Sequence, residues 1–500
     1  MSGELNKKSI KEAVNALTFR TQAFIDGRYV NAQSGQTIVS VNPATGQRLA
    51  DIAACDAADV DLAVKAARRT FQSGVWAKQS PTERKQVLLR FAELIETHRV
   101  EFALLDSLDA GKPIADCLAM DIPDSIECIR WHAESIDKEF EQVAPTGDKH
   151  LALIVREPLG VIGAILPWNF PFQMAAWKLG PILATGNSVV LKPAQQTSLS
   201  VIRLAELAVE AGIPAGVLNV VPGQGSKVGT ALCRHMDVDA VAFTGSTEVG
   251  RLLLKHSAET NLKRVVLELG GKNPQVVFDD AEDLDHIARQ ALASVFWNMG
   301  ENCSSGSRLL VQRGFKDKLL ARMIELSGEW TVGDPQDPAT RIGPLVEETH
   351  MKRVLSYIDI AKREGARLVL GGGRTLLETG GYFVEPTIFD QVKSAMTIAR
   401  EEIFGPVLAV LTFEDEAEAV AMANDTDYGL AASVYTGSLG RAHRVSRAIR
   451  AGTVSVNCFS EGNAATPFGG FKQSGFFGRD KSIYAHQQYG ELKTVWINLA

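Results

Sequence analysis

Two short stretches carry the residue types that could do chemistry. The first is Trp297-Asn298-Met299-Gly300-Glu301-Asn302-Cys303-Ser304-Ser305-Gly306, where a cysteine stands between two glycines. The second is Leu267-Glu268-Leu269-Gly270-Gly271-Lys272, where a carboxylate closes an apolar run and a glycine pair follows. A thiolate attacks carbonyl carbon well, and a carboxylate nearby can activate water, so the pair suits acyl-thioester chemistry. Glycines on both sides let backbone approach a ligand closely. The other cysteines, Cys55, Cys117, Cys128, Cys233 and Cys458, have no such setting and form no CxxC pair. They read as small core hydrophobes of a reducing compartment, so the expected location is the cytoplasm and no metal site is expected.

These residues need elements to hold them. A helix is predicted from Leu284 to Asn298, ending just before Cys303, with a strand from Arg308 to Gln312 after it. Leu151 to Val155 and Gly160 to Leu166 read as strands around a Glu157-Pro158 turn. From there to Gly270 strands and helices alternate: Val189 to Leu191, Ser198 to Ala211, Val217 to Val221, Val228 to Cys233, Ala240 to Phe243, Val249 to His256 and Val265 to Leu267. Such alternation predicts βαβ units around a parallel sheet. From Gln275 a second α/β region follows, with strands near Leu309, Arg367, Ile388, Val407 and Val434. Earlier in the chain lie an amphipathic lead-in over residues 1–20, a hairpin with an Asp26-Gly27 turn and a helix from Ala57 to Phe71. A longer helix, Pro81 to Leu108, opens on a Ser80/Glu83 capping box, and a third runs from Pro123 to Phe140. The tail, Glu491 to Leu499, alternates like an edge strand.

Five hundred residues exceed what one core supports, so two or three domains are expected. The net charge of −7 and the absence of a Lys/Arg-rich run disfavour a nucleic-acid partner, and none is expected. No apolar run approaches the roughly 20 residues that span a bilayer, and residues 1–17 lack a signal-peptide core, so no membrane partner is expected.

Three features suit a dinucleotide. Phe243-Thr244-Gly245-Ser246-Thr247 joins a strand to a helix through a glycine turn and so offers free N–H groups to a pyrophosphate. The spacing Gly245-x4-Gly250 is not G-x-G-x-x-G, and the stretch reads equally as a well-capped helix. Lys192 ends a parallel strand, at the edge where ligands of open α/β sheets bind, and could meet ribose hydroxyls or a 2′-phosphate. Glu402, in Glu401-Glu402-Ile403-Phe404-Gly405-Pro406, could hold the second ribose, or be a solvated loop acid.

Taken together, Pro167-Trp168-Asn169-Phe170-Pro171, Leu191-Lys192-Pro193, Phe243-Thr244-Gly245-Ser246-Thr247, Leu267-Glu268-Leu269-Gly270-Gly271-Lys272, Cys303, Glu402-Ile403-Phe404-Gly405-Pro406 and Pro467-Phe468-Gly469-Gly470 resemble the NAD(P)-dependent aldehyde dehydrogenase superfamily over nearly the whole chain. The resemblance implies an α/β fold with a Rossmann-like cofactor domain (1–140 and 160–270), an α/β catalytic domain (271–478) and a small β oligomerisation piece (141–159 and 479–500) that builds dimers or tetramers. It implies Cys303 as nucleophile, Asn169 with the Cys303 N–H as oxyanion hole and Glu268 as base for hydrolysis. Lys192, Glu402 and Ser246 with Gly245 would hold riboses and pyrophosphate, and Trp168, Leu269 and Phe404 would pack about the nicotinamide. Gln195 stands where strictly NAD-dependent members often have a glutamate, so NAD is expected with NADP tolerated.

Within the superfamily, Met120-Asp121-Ile122-Pro123-Asp124, Ile129-Arg130-Trp131-His132-Ala133-Glu134 and Gly478-Arg479-Asp480-Lys481-Ser482 look most like bacterial dehydrogenases for γ-glutamyl-γ-aminobutyraldehyde and 4-guanidinobutyraldehyde. Such substrates carry a polar or cationic end, for which Asp121, Asp124 and Glu461 are candidates, with Phe170, Trp177 and Phe459 as walls. Competing readings are a broad-specificity or betaine-aldehyde-type enzyme, one that passes its thioester to coenzyme A, and a non-catalytic crystallin-like protein.

Overall fold

The computed structural model describes residues 6–499; residues 1–5 of the lead-in and Ala500 lie outside it. Five parallel strands form the centre of the larger sheet. Their spatial order is Arg264–Glu268, Ala240–Thr244, Val161–Ile165, Ser188–Lys192, Leu218–Val220. The chain therefore starts in the middle, winds outward one way, then returns beside Val161–Ile165 and winds the other way. Every residue of Val161–Ile165, Ser188–Lys192 and Ala240–Thr244 is buried, because helices cover both faces. That is why these strands read as unbroken apolar runs. The Ala23–Ile25 and Arg28–Val30 hairpin extends one edge, through a turn in which Asp26 and Gly27 both have positive φ.

A second sheet places Pro274–Val277 and Arg308–Gln312 side by side, flanked by Val407–Phe413 and Ala431–Tyr435, all parallel. A third, three-stranded sheet pairs the tail strand Gly490–Asn498 with His150–Pro158 along its whole length, and His150–Pro158 with Gln142–Ala144. The tail is an edge strand, as its alternation predicts.

Several helix boundaries differ from the sequence reading. The long helix splits at His98 into Pro81–Thr97 and Arg99–Ala110. Both halves are amphipathic, so periodicity gave no sign of the break; the His98 ring bonds Glu101 at 2.8 Å and starts the second half. The capping box at Ser80 and Glu83 forms as expected. The helix expected to reach Phe140 ends at Ser135, and the helix before Cys303 ends at Phe296 rather than Asn298.

Candidate active site

The strands Val161–Ile165 and Ala240–Thr244 are neighbours from which the chain departs in opposite directions. A crevice opens at the carboxyl ends of such a pair. Here it holds Trp168 and Asn169 after the first strand, and Gly245 and Ser246 after the second. Facing them, the second sheet contributes the Cys303 loop, and the two sheets enclose a cavity of about 620 Å³. Trp168, Asn169, Glu268, Leu269, Cys303, Glu402 and Phe404 all line it, though 234 positions separate the first from Glu402 in the sequence.

Backbone geometry delivers the thiol. After Phe296 the chain takes left-handed angles at Asn298 (φ 51°), Met299 (φ 58°) and Gly300 (φ 70°), which reverses it into the cavity. A Cβ at Gly300 would strike the Gly405 backbone, so only glycine fits there. Asn273 Nδ2 then ties the carbonyls of Cys303 (2.8 Å) and Ser305 (3.0 Å). Asn169 Nδ2 donates to the Glu301 carbonyl at 2.9 Å, which sets its amide beside the same loop. Burial, then the carboxylates of Glu461, Glu402 and Glu268, push the Cys303 thiol well above its ordinary value.

Glu268 ends its strand with the carboxylate buried, and neither oxygen has a side-chain partner among the described residues. Burial raises it well above the carboxylate range and the nearby Asp480 adds to this, while Lys178 and Arg479 oppose. Lys178 and Asp480 form a fully buried ion pair, Nζ to Oδ1 2.9 Å and to Oδ2 2.7 Å. Sequence reasoning missed this pair: Lys178 lies in a helix among apolar residues, and nothing in the spacing shows that Asp480, 302 positions on, reaches it.

One end of the cavity forms a cradle. Ser246 caps the helix Thr247–Ala258 by accepting from the Val249 N–H at 3.3 Å, leaving the first helical N–H groups toward the cavity. Glu402 accepts the Gly271 N–H at 2.9 Å and lies so close to Gly270 that any side chain there would collide with it. Burial raises the Glu402 carboxyl to about 7. Phe404 and Trp168 meet edge to face, 5.2 Å between centroids. His350, missed from sequence, packs on Trp168 at 5.1 Å and bonds the Phe404 carbonyl at 2.7 Å. Lys192 and Gln195 sit at the same sheet edge but outside the cavity lining. The Lys192 ammonium bonds the Pro193 carbonyl at 2.7 Å, and burial lowers it to about 8.

At the other end Phe170, Trp177, Phe468 and Glu461 line the space beyond Cys303. Glu461 accepts from Asn302 Nδ2 at 3.2 Å and from the Ser304 hydroxyl. Asp124 is reached through the wall, accepting from Gln173 Nε2 and Trp177 Nε1, each at 2.8 Å. Two candidates are corrected. Asp121 is fully buried and ion-paired to Lys112 at 2.8 Å, so it cannot face a substrate. Phe459 lies outside the lining; its backbone N–H is held by Gln290 at 2.8 Å, which turns this loop so that Glu461 faces the cavity instead.

A doubly wound sheet whose crevice meets a cysteine and a buried carboxylate defines an α/β dehydrogenase with a thiol at its centre. The chain belongs to the aldehyde dehydrogenase family, whose model matches residues 29–495. It is 55% identical over 498 residues to aminoacetaldehyde dehydrogenase of Pseudomonas aeruginosa, covering all of both chains. Among solved structures, an indole-3-acetaldehyde dehydrogenase variant of P. syringae in complex with NAD+ and IAA is 53% identical, with a TM-score of 0.98 over 99% of this chain and 100% of that one. The γ-glutamyl-γ-aminobutyraldehyde dehydrogenase of Burkholderia cenocepacia is 51% identical, with a TM-score of 0.97 over 99% and 100%. No helix among the described residues is long and apolar enough to cross a membrane.

Proposed function

We propose that the protein oxidises an aminoaldehyde to its carboxylic acid with NAD, through a thioester on Cys303. The observation that carries this is the convergence of Cys303, Glu268 and Asn169 on one cavity that Ser246, Glu402 and Phe404 also line. Cys303 Sγ bonds the aldehyde carbon, and Asn169 Nδ2 with the Cys303 N–H holds the resulting oxyanion; one such donor is worth about 3 kcal/mol. When bound in the cradle, NAD would accept the hydride that leaves the aldehyde carbon as the oxyanion collapses to the thioester, the thiol having given its proton to solvent. Glu268 then takes a proton from water as that water attacks the thioester, and the acid leaves with the thiol restored. Ser246 and Gly245 would meet the pyrophosphate, Glu402 and Lys192 the riboses, and Trp168, Leu269 and Phe404 the nicotinamide. We assign 1–140 and 160–270 to cofactor binding, 271–478 to catalysis, and 141–159 with 479–500 to pairing of subunits. Exposed Leu492 and Trp496 on the tail strand support a dimer or tetramer. Six unpaired cysteines fit a cytoplasmic enzyme.

Glu461 is the recognition group for an ammonium or guanidinium. Replacing Glu461 by Gln is expected to raise KM for 4-guanidinobutyraldehyde about tenfold, as for loss of a charge-assisted hydrogen bond, with KM for hexanal unchanged. The aromatic walls Phe170, Trp177 and Phe468 favour a second reading, an aromatic aldehyde. Steady-state kinetics on 4-guanidinobutyraldehyde, a γ-glutamylated aminoaldehyde, indole-3-acetaldehyde and hexanal decide between them. Equal efficiency on all four sinks the cation site.

Gln195 places no charge against a 2′-phosphate, so kcat/KM for NAD and NADP should differ by less than about a thousandfold, roughly 4 kcal/mol. A larger preference for NAD refutes tolerance of NADP.

A further inference from the structure

The helix Arg99–Ala110 stops at Gly111 (φ 77°), and the next residue, Lys112, turns inward with 1% of its surface exposed. Its ammonium makes three interactions. It pairs with Asp121 at 2.8 Å, donates to the Asn169 backbone carbonyl at 3.1 Å, and lies 3.5 Å from the centroid of the Phe170 ring. Burying one charge in such a place is costly, and Asp121 offsets it. Asn298 Nδ2 bonds the same Asn169 carbonyl at 3.1 Å and the Glu301 carbonyl at 3.0 Å, so the Asn169 peptide is clamped to the loop that leads to Cys303. Fixing the peptide plane between Asn169 and Phe170 sets the Cα–C axis of Asn169. The Asn169 Nδ2 bond to the Glu301 carbonyl at 2.9 Å, held also by Asn298, fixes the remaining rotations and so where the amide can donate.

We propose that Lys112, balanced by Asp121, is a positioning residue that aims the Asn169 amide at the substrate oxygen and holds Phe170 as a wall of the cavity. This rests on Asn169 being the oxyanion donor. Buried charge pairs can be replaced by neutral residues with little loss of stability, which separates folding from positioning.

The test uses the double variant Lys112→Met/Asp121→Ala, Asn169→Ala, and the triple combination. The double variant is expected to melt within a few degrees of the parent and to keep KM for NAD. Its kcat should fall at least about tenfold, since a misplacement near 1 Å costs up to about a hundredfold. In the Asn169→Ala background the same change should cost nothing further. A parent-like kcat in a folded double variant, or a loss that persists in full without Asn169, overturns the proposal while leaving the oxyanion reading intact. A parent-like kcat in Asn169→Ala overturns both. Should the double variant not fold, Lys112→Met/Asp121→Asn carries the test: it keeps the shape at 121 and leaves no lone buried charge, and must lower kcat at constant KM for NAD.

Discussion

A Cys303→Ala variant should oxidise no aldehyde, with kcat down at least about 10⁴-fold, as when a covalent nucleophile is removed from a working site. NAD binding should survive, because Ser246, Glu402 and Phe404, the residues proposed to hold it, are unchanged. The size of the effect follows from the site's composition. No other cysteine lines the cavity, and the hydroxyl nearest to Cys303 in sequence, that of Ser304, is held by Asn302 and Glu461. The remaining activity should also show no pH limb from the thiol. In the parent, burial and three carboxylates disfavour the thiolate, so its population rises with pH and the rate of the first NADH turnover rises with it. Removing one of those charges, as in Glu461→Gln, should move that limb to lower pH. Parent-like turnover by Cys303→Ala in a stopped-flow assay at saturating NAD overturns the thioester route.

Replacing Glu268 by Gln should split the reaction in two. Carbon–sulfur bond formation does not need this carboxylate, whereas hydrolysis does. Mixing enzyme, NAD and aldehyde should give close to one NADH per site, followed by steady turnover lowered by about 10²–10⁴-fold, the span of general base catalysis. Steady turnover without a burst, at the parent rate, excludes Glu268 as the base. The pH dependence has a definite sign. The base must be ionised, and burial with Asp480 raises the pH at which it ionises, so hydrolysis slows as pH falls through that raised value. Asp480→Asn removes the repulsion and frees the Lys178 ammonium toward Glu268, so the acidic limb should move to lower pH. In the parent, an NADH burst without continued turnover, rescued by coenzyme A, would favour thioester transfer.

The split between sequence and structure is clearest at Asp121 and Glu461. Both are acids in stretches that read as substrate-facing. One is buried under Lys112 and helps place Asn169; the other looks into the cavity beside Cys303. Composition and spacing cannot separate them, because each depends on which helix or loop packs above it. Lys178 and Asp480 show the same limit across 302 positions.

Local rules did settle other things. Buried parallel strands are apolar on both faces, so Val161–Ile165, Ser188–Lys192 and Ala240–Thr244 were visible as runs, and the capping signals at Ser80 and Ser246 marked where helices begin. Cys303 and Glu268 stood out because covalent chemistry needs particular atoms and each lies beside glycines, and the structure brings both to one cavity. The chain by itself thus determined the α/β class, the elements and the chemical groups. Tertiary structure alone decided which charges share a cavity and what each one faces, since burial and distance belong to packing between segments remote in the chain, and those two quantities set both proton affinity and reach.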